Sequence, residues 1–153
     1  MTFAESIKTC FSKYVTFSGR AVRSEFWWFA LFVFAGQIVL SMVDSFLFGT
    51  TTTTEFGFEA STDTPILSGI FSLATLLPMI SVAVRRLHDT DRTGWWYWIA
   101  LVPIVGIILL IVWWASEGTR GGNRYGSDPK GGGGGYGGGE GLTASSIPNV
   151  ARD

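Results

Sequence analysis

Three long apolar runs divide the chain. They are residues 26–48 (FWWFALFVFAGQIVLSMVDSFLF), 65–84 (PILSGIFSLATLLPMISVAV) and 95–115 (WWYWIALVPIVGIILLIVWWA). Each meets the need for about 20 predominantly apolar residues to cross a hydrocarbon core of about 30 Å as an α-helix. One such run could be the core helix of a soluble protein. Three of them in 153 residues leave too little polar surface to cover them. The pattern therefore predicts an all-α integral membrane protein with three transmembrane helices. Pro103 and Gly106 lie near the centre of the third run, where they permit a kink or a re-entrant hairpin. Ahead of the first run, Phe3, Ile7, Cys10, Phe11 and Tyr14 follow helical spacing on one face, with Glu5, Lys8, Ser12 and Lys13 largely on the other. This predicts an amphipathic interfacial helix, lying on the inner membrane surface or packed on the protein's own cytoplasmic face. Past the last run, thirteen of the 20 glycines fall between Gly118 and Gly141. A membrane domain over 1–130 and a disordered glycine-rich tail over 131–153 are expected. No Gly-Lys-Ser/Thr follows those glycines, so they are not a phosphate-binding loop.

Charge sharpens this picture. Charged residues make up 15% of the chain, against roughly 25% in an average soluble domain. All 11 Lys and Arg fall in three blocks, at 1–25, 85–94 and 116–153. With a net charge of −1 and no basic stripe, the distribution excludes a nucleic-acid partner and a soluble enzyme. The seven tryptophans stand at run ends: Trp27 and Trp28, then Trp95, Trp96 and Trp98, then Trp113 and Trp114. Amphipathic rings prefer that interfacial level. The segment at 49–64 has no Lys or Arg, only Glu55, Glu59, Asp63 and a threonine run from Thr50 to Thr54. The positive-inside rule then puts the N-terminus and 85–94 in the cytoplasm and 49–64 outside. Three spans would leave Arg120, Arg124 and Lys130 outside, against the same rule. A three-span topology is nonetheless the expectation, with re-entry of 95–115 as its alternative. Residues 1–25 lack an apolar run, so no cleavable signal peptide is expected.

Three polar motifs flank the runs: FSGRAVRSEFWW at 17–28, RRLHDTDRTGWW at 85–96 and EGTRGGNRYGSDP at 117–129. In this order and at these distances from three apolar stretches, they resemble the domain-of-unknown-function 805 family of small bacterial inner-membrane proteins. The resemblance covers roughly residues 8–130. It implies a bacterial inner-membrane location and brings no established activity.

Several readings of these motifs stay open. Arg85 and Arg86 end the second run, where cations suit both a helix C-terminus and lipid phosphate. Arg20, Arg23, Glu25, Arg85, Arg86, His88, Asp89, Asp91, Arg92, Asn123, Arg124 and Asp128 are candidates for contact with lipid headgroups or a protein partner. The plainer reading is topological, with arginines fixing orientation and aspartates pairing with them. Glu25 can complement its helix dipole and pair with Arg85 or Arg86. A metal or acid–base site at His88, Asp89 and Asp91 lacks a second His or Cys motif. The single Cys10 excludes an intramolecular disulfide. Within the runs, Gln37 and Asp44 are the polar candidates, and an intramembrane carboxylate can mark a transport path. Gly36 and Gly69 can allow close helix contact.

These observations predict a non-enzymatic inner-membrane module, without metal or cofactor, whose polar cytoplasmic face contacts lipids or protein. Self-association or a larger membrane-protein partner is expected. An oligomeric small transporter or channel is the alternative, and a lipid enzyme using His88 and Asp89 comes third.

Overall fold

The computed structural model describes residues 1–54, 57–61 and 64–131. The expected disordered tail at 131–153 lies, apart from Gly131, outside the described residues. The chain forms α1 (Phe3–Ser12), α2 (Arg23–Phe48), strands β1 (Thr50–Thr54) and β2 (Gly57–Ser61), α3 (Ile66–Asp89), a 3₁₀ segment (Gly94–Leu101) and α4 (Val105–Ala115). The fold is helical with one departure from expectation. Between the first two runs, β1 and β2 pair antiparallel from Thr50↔Ser61 to Thr54↔Gly57. The threonine run explains it, because β-branched side chains favour extended backbone.

Helices α2 and α3, of 26 and 24 residues, are long and apolar enough to cross a membrane. They pack antiparallel, and their polar residues fasten them at three levels. At one end, Asp44 accepts from the backbone N–H groups of Leu67 (3.0 Å) and Ser68 (2.8 Å) and from the Ser68 hydroxyl (2.7 Å). One helix thus caps the N-terminus of the next, satisfying donors that have no partner within α3. Midway, Ser72 donates to Gln37 Oε1 at 2.9 Å. Beside it Gly36 lies against the Phe71 ring, where an added Cβ would come within 2.6 Å. Gly69 meets no such neighbour. At the far end Arg85 meets Glu25 at 2.6 Å.

Pro78 sits inside α3 without ending it. Proline lacks the N–H that would bond the carbonyl four residues earlier. That carbonyl belongs to Ala74, and the Tyr14 hydroxyl donates to it at 2.7 Å. Ser81 in turn donates to the carbonyls of Lys13 (3.1 Å) and Thr16 (2.5 Å). Helix α1 begins with a reciprocal cap between Thr2 and Glu5. Its apolar face docks on α2, with Phe11 edge-on to Phe29 (5.6 Å) and Phe32 (6.1 Å). Cys10 is buried there in a cluster with Ala21, Phe26, Phe29, Val82 and Ala83. Of the two surfaces open to this amphipathic helix, the protein itself supplies the one it meets.

The run at 95–115 corrects the expectation of a third continuous helix. The 3₁₀ turns stop at Leu101, and Val102–Pro103–Ile104 reverses the chain. Ile104 has φ 67° and ψ −66°, and Val105 N–H bonds the Pro103 carbonyl at 2.7 Å. This is a γ-turn with positive φ, a strained form that a β-branched residue rarely adopts. At Gly106 an added methyl would overlap the Ile99 carbonyl oxygen, so the reversal needs glycine there. The arms then lie side by side, with Trp96 packing edge-on to Trp113 at 5.4 Å. Helix α4 has 11 residues, about 16 Å at 1.5 Å per residue, roughly half a hydrocarbon core. The physical cause is that Pro103 interrupts the helix and Gly106 admits the close return.

A cysteine pair measures this reversal. Trp96→Cys with Trp113→Cys, in a Cys10→Ser background, should crosslink through a short bis-maleimide. In one straight helix those positions would stand about 25 Å apart, and absence of crosslinking would point to that arrangement.

Candidate functional site

The three polar motifs converge where α2 begins, α3 ends and α4 ends. Asp89 is the centre. Its Oδ1 accepts from Arg20 at 2.9 Å and its Oδ2 from Arg86, three residues earlier on the same helix. All three side chains are buried. A buried carboxylate between two guanidinium groups leaves excess positive charge, and backbone carbonyls meet it. Arg20 donates to the carbonyls of Thr119 and Gly121. Arg86 donates to those of Trp114, Ser116 and Ala21. Guanidinium presents five donors in a fixed fork, which suits this multiple bonding better than an ammonium would.

A second pair lies behind the first. Arg85 and Glu25, both buried, meet at 2.6 Å, and the Ala21 N–H bonds the Arg85 carbonyl at 3.0 Å. Arg85 Nε and Nη2 are buried without a hydrogen-bond partner among the described residues. The Glu25 carbonyl accepts from Ser6 at 2.6 Å, tying α1 to the same place. Cys10 Sγ lies 3.9 Å from Glu25 Oε1. Burial, with the adjacent Glu25 carboxylate, pushes the Cys10 thiol up to about 12.

The third motif is a strap over this network. Thr119 N–H bonds the Asp89 carbonyl at 2.7 Å, and the Asn123 amide donates to the His88 carbonyl at 2.9 Å. Gly118 crosses Asp89 so closely that a Cβ there would overlap the carboxylate. Tyr125 stacks on the His88 ring, 4.0 Å between centroids and 2° between planes. His88 Nδ1 lies 3.0 Å from the Gly19 carbonyl and must therefore carry the hydrogen. Arg124 bonds the Asp91 side chain at 3.1 Å and its carbonyl at 2.8 Å. Asp128 accepts from the N–H groups of Lys130 and Gly121, which holds its carboxyl below the usual range.

The expected site residues thus divide. Arg20, Glu25, Arg85, Arg86, His88 and Asp89 are buried together, so their charges face one another and not an outside headgroup. The physical reason is that the strap brings carbonyls and Tyr125 over them. Arg23 and Arg124 are exposed, and Arg92 is half-buried with its guanidinium over the Trp113 ring at 4.8 Å. His88, Asp89 and Asp91 do not share a centre, since each holds a different partner. Among the described residues no three His, Cys, Asp or Glu side chains gather as a metal would need. Asp44 and Gln37 are spent on bonds between helices.

Sequence reasoning missed the carbonyls of residues 114, 116, 119 and 121, because backbone acceptors leave no mark in composition. It also missed Tyr125, Gly118 and Ser68. Ser68 left no cap signal, since it stands third inside α3 and donates to Asp44 of the preceding helix.

Two long apolar helices, closed at one end by a buried ion network, define a small helical membrane protein. The chain belongs to the family described as Protein of unknown function (DUF805), which matches residues 14–127. It is similar to two inner membrane proteins of Escherichia coli (strain K12). YhaI is 43% identical over 117 residues, covering 76% of this chain and 88% of that protein. YhaH is 39% identical over 117 residues, covering 76% and 89%. The uncharacterized protein YiiR of the same organism is 29% identical over 140 residues. No solved structure matches the chain. The protein is a bacterial inner-membrane protein of this family.

Removing one partner from a buried ion network costs about 3–5 kcal/mol. Asp89→Asn should therefore lower thermal stability in mild detergent severely. Asp91→Asn, which breaks a solvent-exposed pair, should cost less than about 1 kcal/mol. Equal effects would contradict the arrangement. Cys10 should resist N-ethylmaleimide at pH 8 in the folded protein and label fully once unfolded in SDS, because the reactive thiolate is suppressed far above that pH.

Proposed function

We propose that the protein is a non-enzymatic inner-membrane interaction module. Helices α2 and α3 cross the bilayer, the 95–115 segment enters and returns, and both the N-terminus and the strap lie in the cytoplasm. The carrying observation is that Arg86 and Arg20 hold the carbonyls of residues 114 to 121. Residues 114–121 are thereby kept beside the N-terminal motif. Every Lys and Arg from Lys8 to Lys130 then belongs to segments that meet at one end, and the connection at 49–64 has none. This removes the conflict between the positive-inside rule and the tail charges.

The interacting surface on this reading is the exposed basic rim, not the buried network. Lys8, Lys13, Arg23, Arg120, Arg124 and Lys130 are exposed there. Arg23 and Lys130 line a cavity of about 740 Å³ with Glu5 and Ser24, open to anionic headgroups. The flanks are strongly apolar, with Phe34, Met42, Phe46, Ile70 and Leu73 each more than 60% exposed. They suit lipid, a second copy or a larger membrane protein.

Two fusions test the topology. A fluorescent reporter after Lys130 should be bright, and alkaline phosphatase inserted in 49–64 should be active. Phosphatase activity after Lys130 would overturn the re-entrant reading. Arg23→Gln with Lys130→Gln should reduce co-purifying anionic lipid several-fold. Unchanged retention would remove the headgroup role of that rim.

A further inference from the structure

A separate cleft lies on the other side of His88. It has a volume of about 520 Å³ and is lined by Phe17, Val84, His88, Thr93, Gly94, Trp95, Trp98 and Tyr125. That volume is within the usual range for small-ligand sites, about 300–1,000 Å³. Four aromatic rings and one imidazole make up most of its wall, and no Lys, Arg, Asp or Glu lines it.

The imidazole supplies a directed polar group. Because Nδ1–H is committed to the Gly19 carbonyl, Nε2 of the neutral ring is an acceptor. Nε2 takes no partner among the described residues and lies toward Gly94, where an added Cβ would stand 3.6 Å from it. His88 itself is 8% exposed and its ring is fixed by stacking on Tyr125, so the edge left open to the cleft has a set direction. An unpartnered acceptor on a wall of aromatic rings favours a donor, and a cationic one gains from the rings as well. A phosphate would find no cation in the lining. The Arg124 guanidinium stands 5.2 Å from the Tyr125 ring centroid, bringing to the rim a cation that is paired with Asp91 through Nε and has Nη1 left over. Trp95 and Trp98 are 79% and 60% exposed, leaving the mouth of the cleft open beside apolar surface.

We infer that this cleft binds the ethanolamine headgroup of a phospholipid, its ammonium donating to His88 Nε2 among the rings and its phosphate at the Arg124 rim. The occupant is a lipid because the cleft opens between the polar cluster and the apolar 3₁₀ segment, where headgroup and acyl chain meet. The inference rests on the reading that places this face at the inner-leaflet headgroup level. Lipid selectivity in detergent does not depend on sidedness, so its failure and a failure of the topology are read separately.

Native mass spectrometry of the full chain in mild detergent tests it, with phosphatidylethanolamine, phosphatidylcholine and phosphatidylglycerol offered at equal concentration. Choline keeps the positive charge but cannot donate a hydrogen bond. Phosphatidylethanolamine should be retained about tenfold over either alternative. His88→Asn keeps a donor for Gly19 while removing Nε2, and should bring ethanolamine down to the choline level. Trp95→Ala with Trp98→Ala, both at exposed positions, should lower retention of both zwitterionic lipids. Equal retention of all three lipids, preference for phosphatidylglycerol, or ethanolamine preference unchanged in His88→Asn would overturn the inference.

Discussion

One carboxylate organises this protein. Asp89 is shared by Arg20 from the first polar motif and Arg86 from its own helix. Both guanidiniums have donors left over, and those donors gather the carbonyls of the returning chain. The direction of α4, the path of the strap and the stacking of Tyr125 on His88 all follow from charges that cannot stay buried unpaired. Such a network adds little net stability compared with a well-packed apolar core, but it is unforgiving of the wrong partner. Around Asp89 the three motifs are joined by ion pairs and carbonyl bonds that each draw on a different segment.

The polar residues inside the long helices follow the same economy. Asp44 is an intramembrane candidate only while α3 is out of view. Once its N-terminal amides are placed, both carboxylate oxygens are occupied. Pro78 and Tyr14 form a comparable pair, in which a carbonyl freed by the missing proline N–H is met by a hydroxyl 60 residues away in sequence. Polar positions in an apolar setting act here as fasteners whose partners are backbone groups.

Much of this was legible in the sequence, and the reasons for the rest are physical. Hydropathy located all three apolar runs, and the tryptophans marked their ends. It could not give the direction of the third run, because a straight span and a hairpin have the same composition. The decisive residues, Pro103 and Gly106, read as a permitted kink; the steric need at Gly106 depends on the Ile99 carbonyl. Pairing of Glu25 with one of two arginines could be posed from a shared end, but the choice of Arg85 depends on which side of α3 faces α2. Pairing of the arginines with aspartates could be posed, but that Arg20 and Arg86 would turn inward around Asp89 was not legible, since their remaining partners are carbonyls. The threonine run, noted for its lack of charge, carried a β-preference that went unused.

The reversal at Pro103 has a consequence for shape. Among the described residues, the end carrying the polar cluster holds α1, the 3₁₀ segment and α4 beside the two long helices, whereas the opposite end holds those helices and the short ribbon. The described part of the chain is therefore broader at one end than at the other. In a bilayer it would displace more lipid from one leaflet than from the other, so crowding many copies together would impose a bend whose sign is set by the broad end.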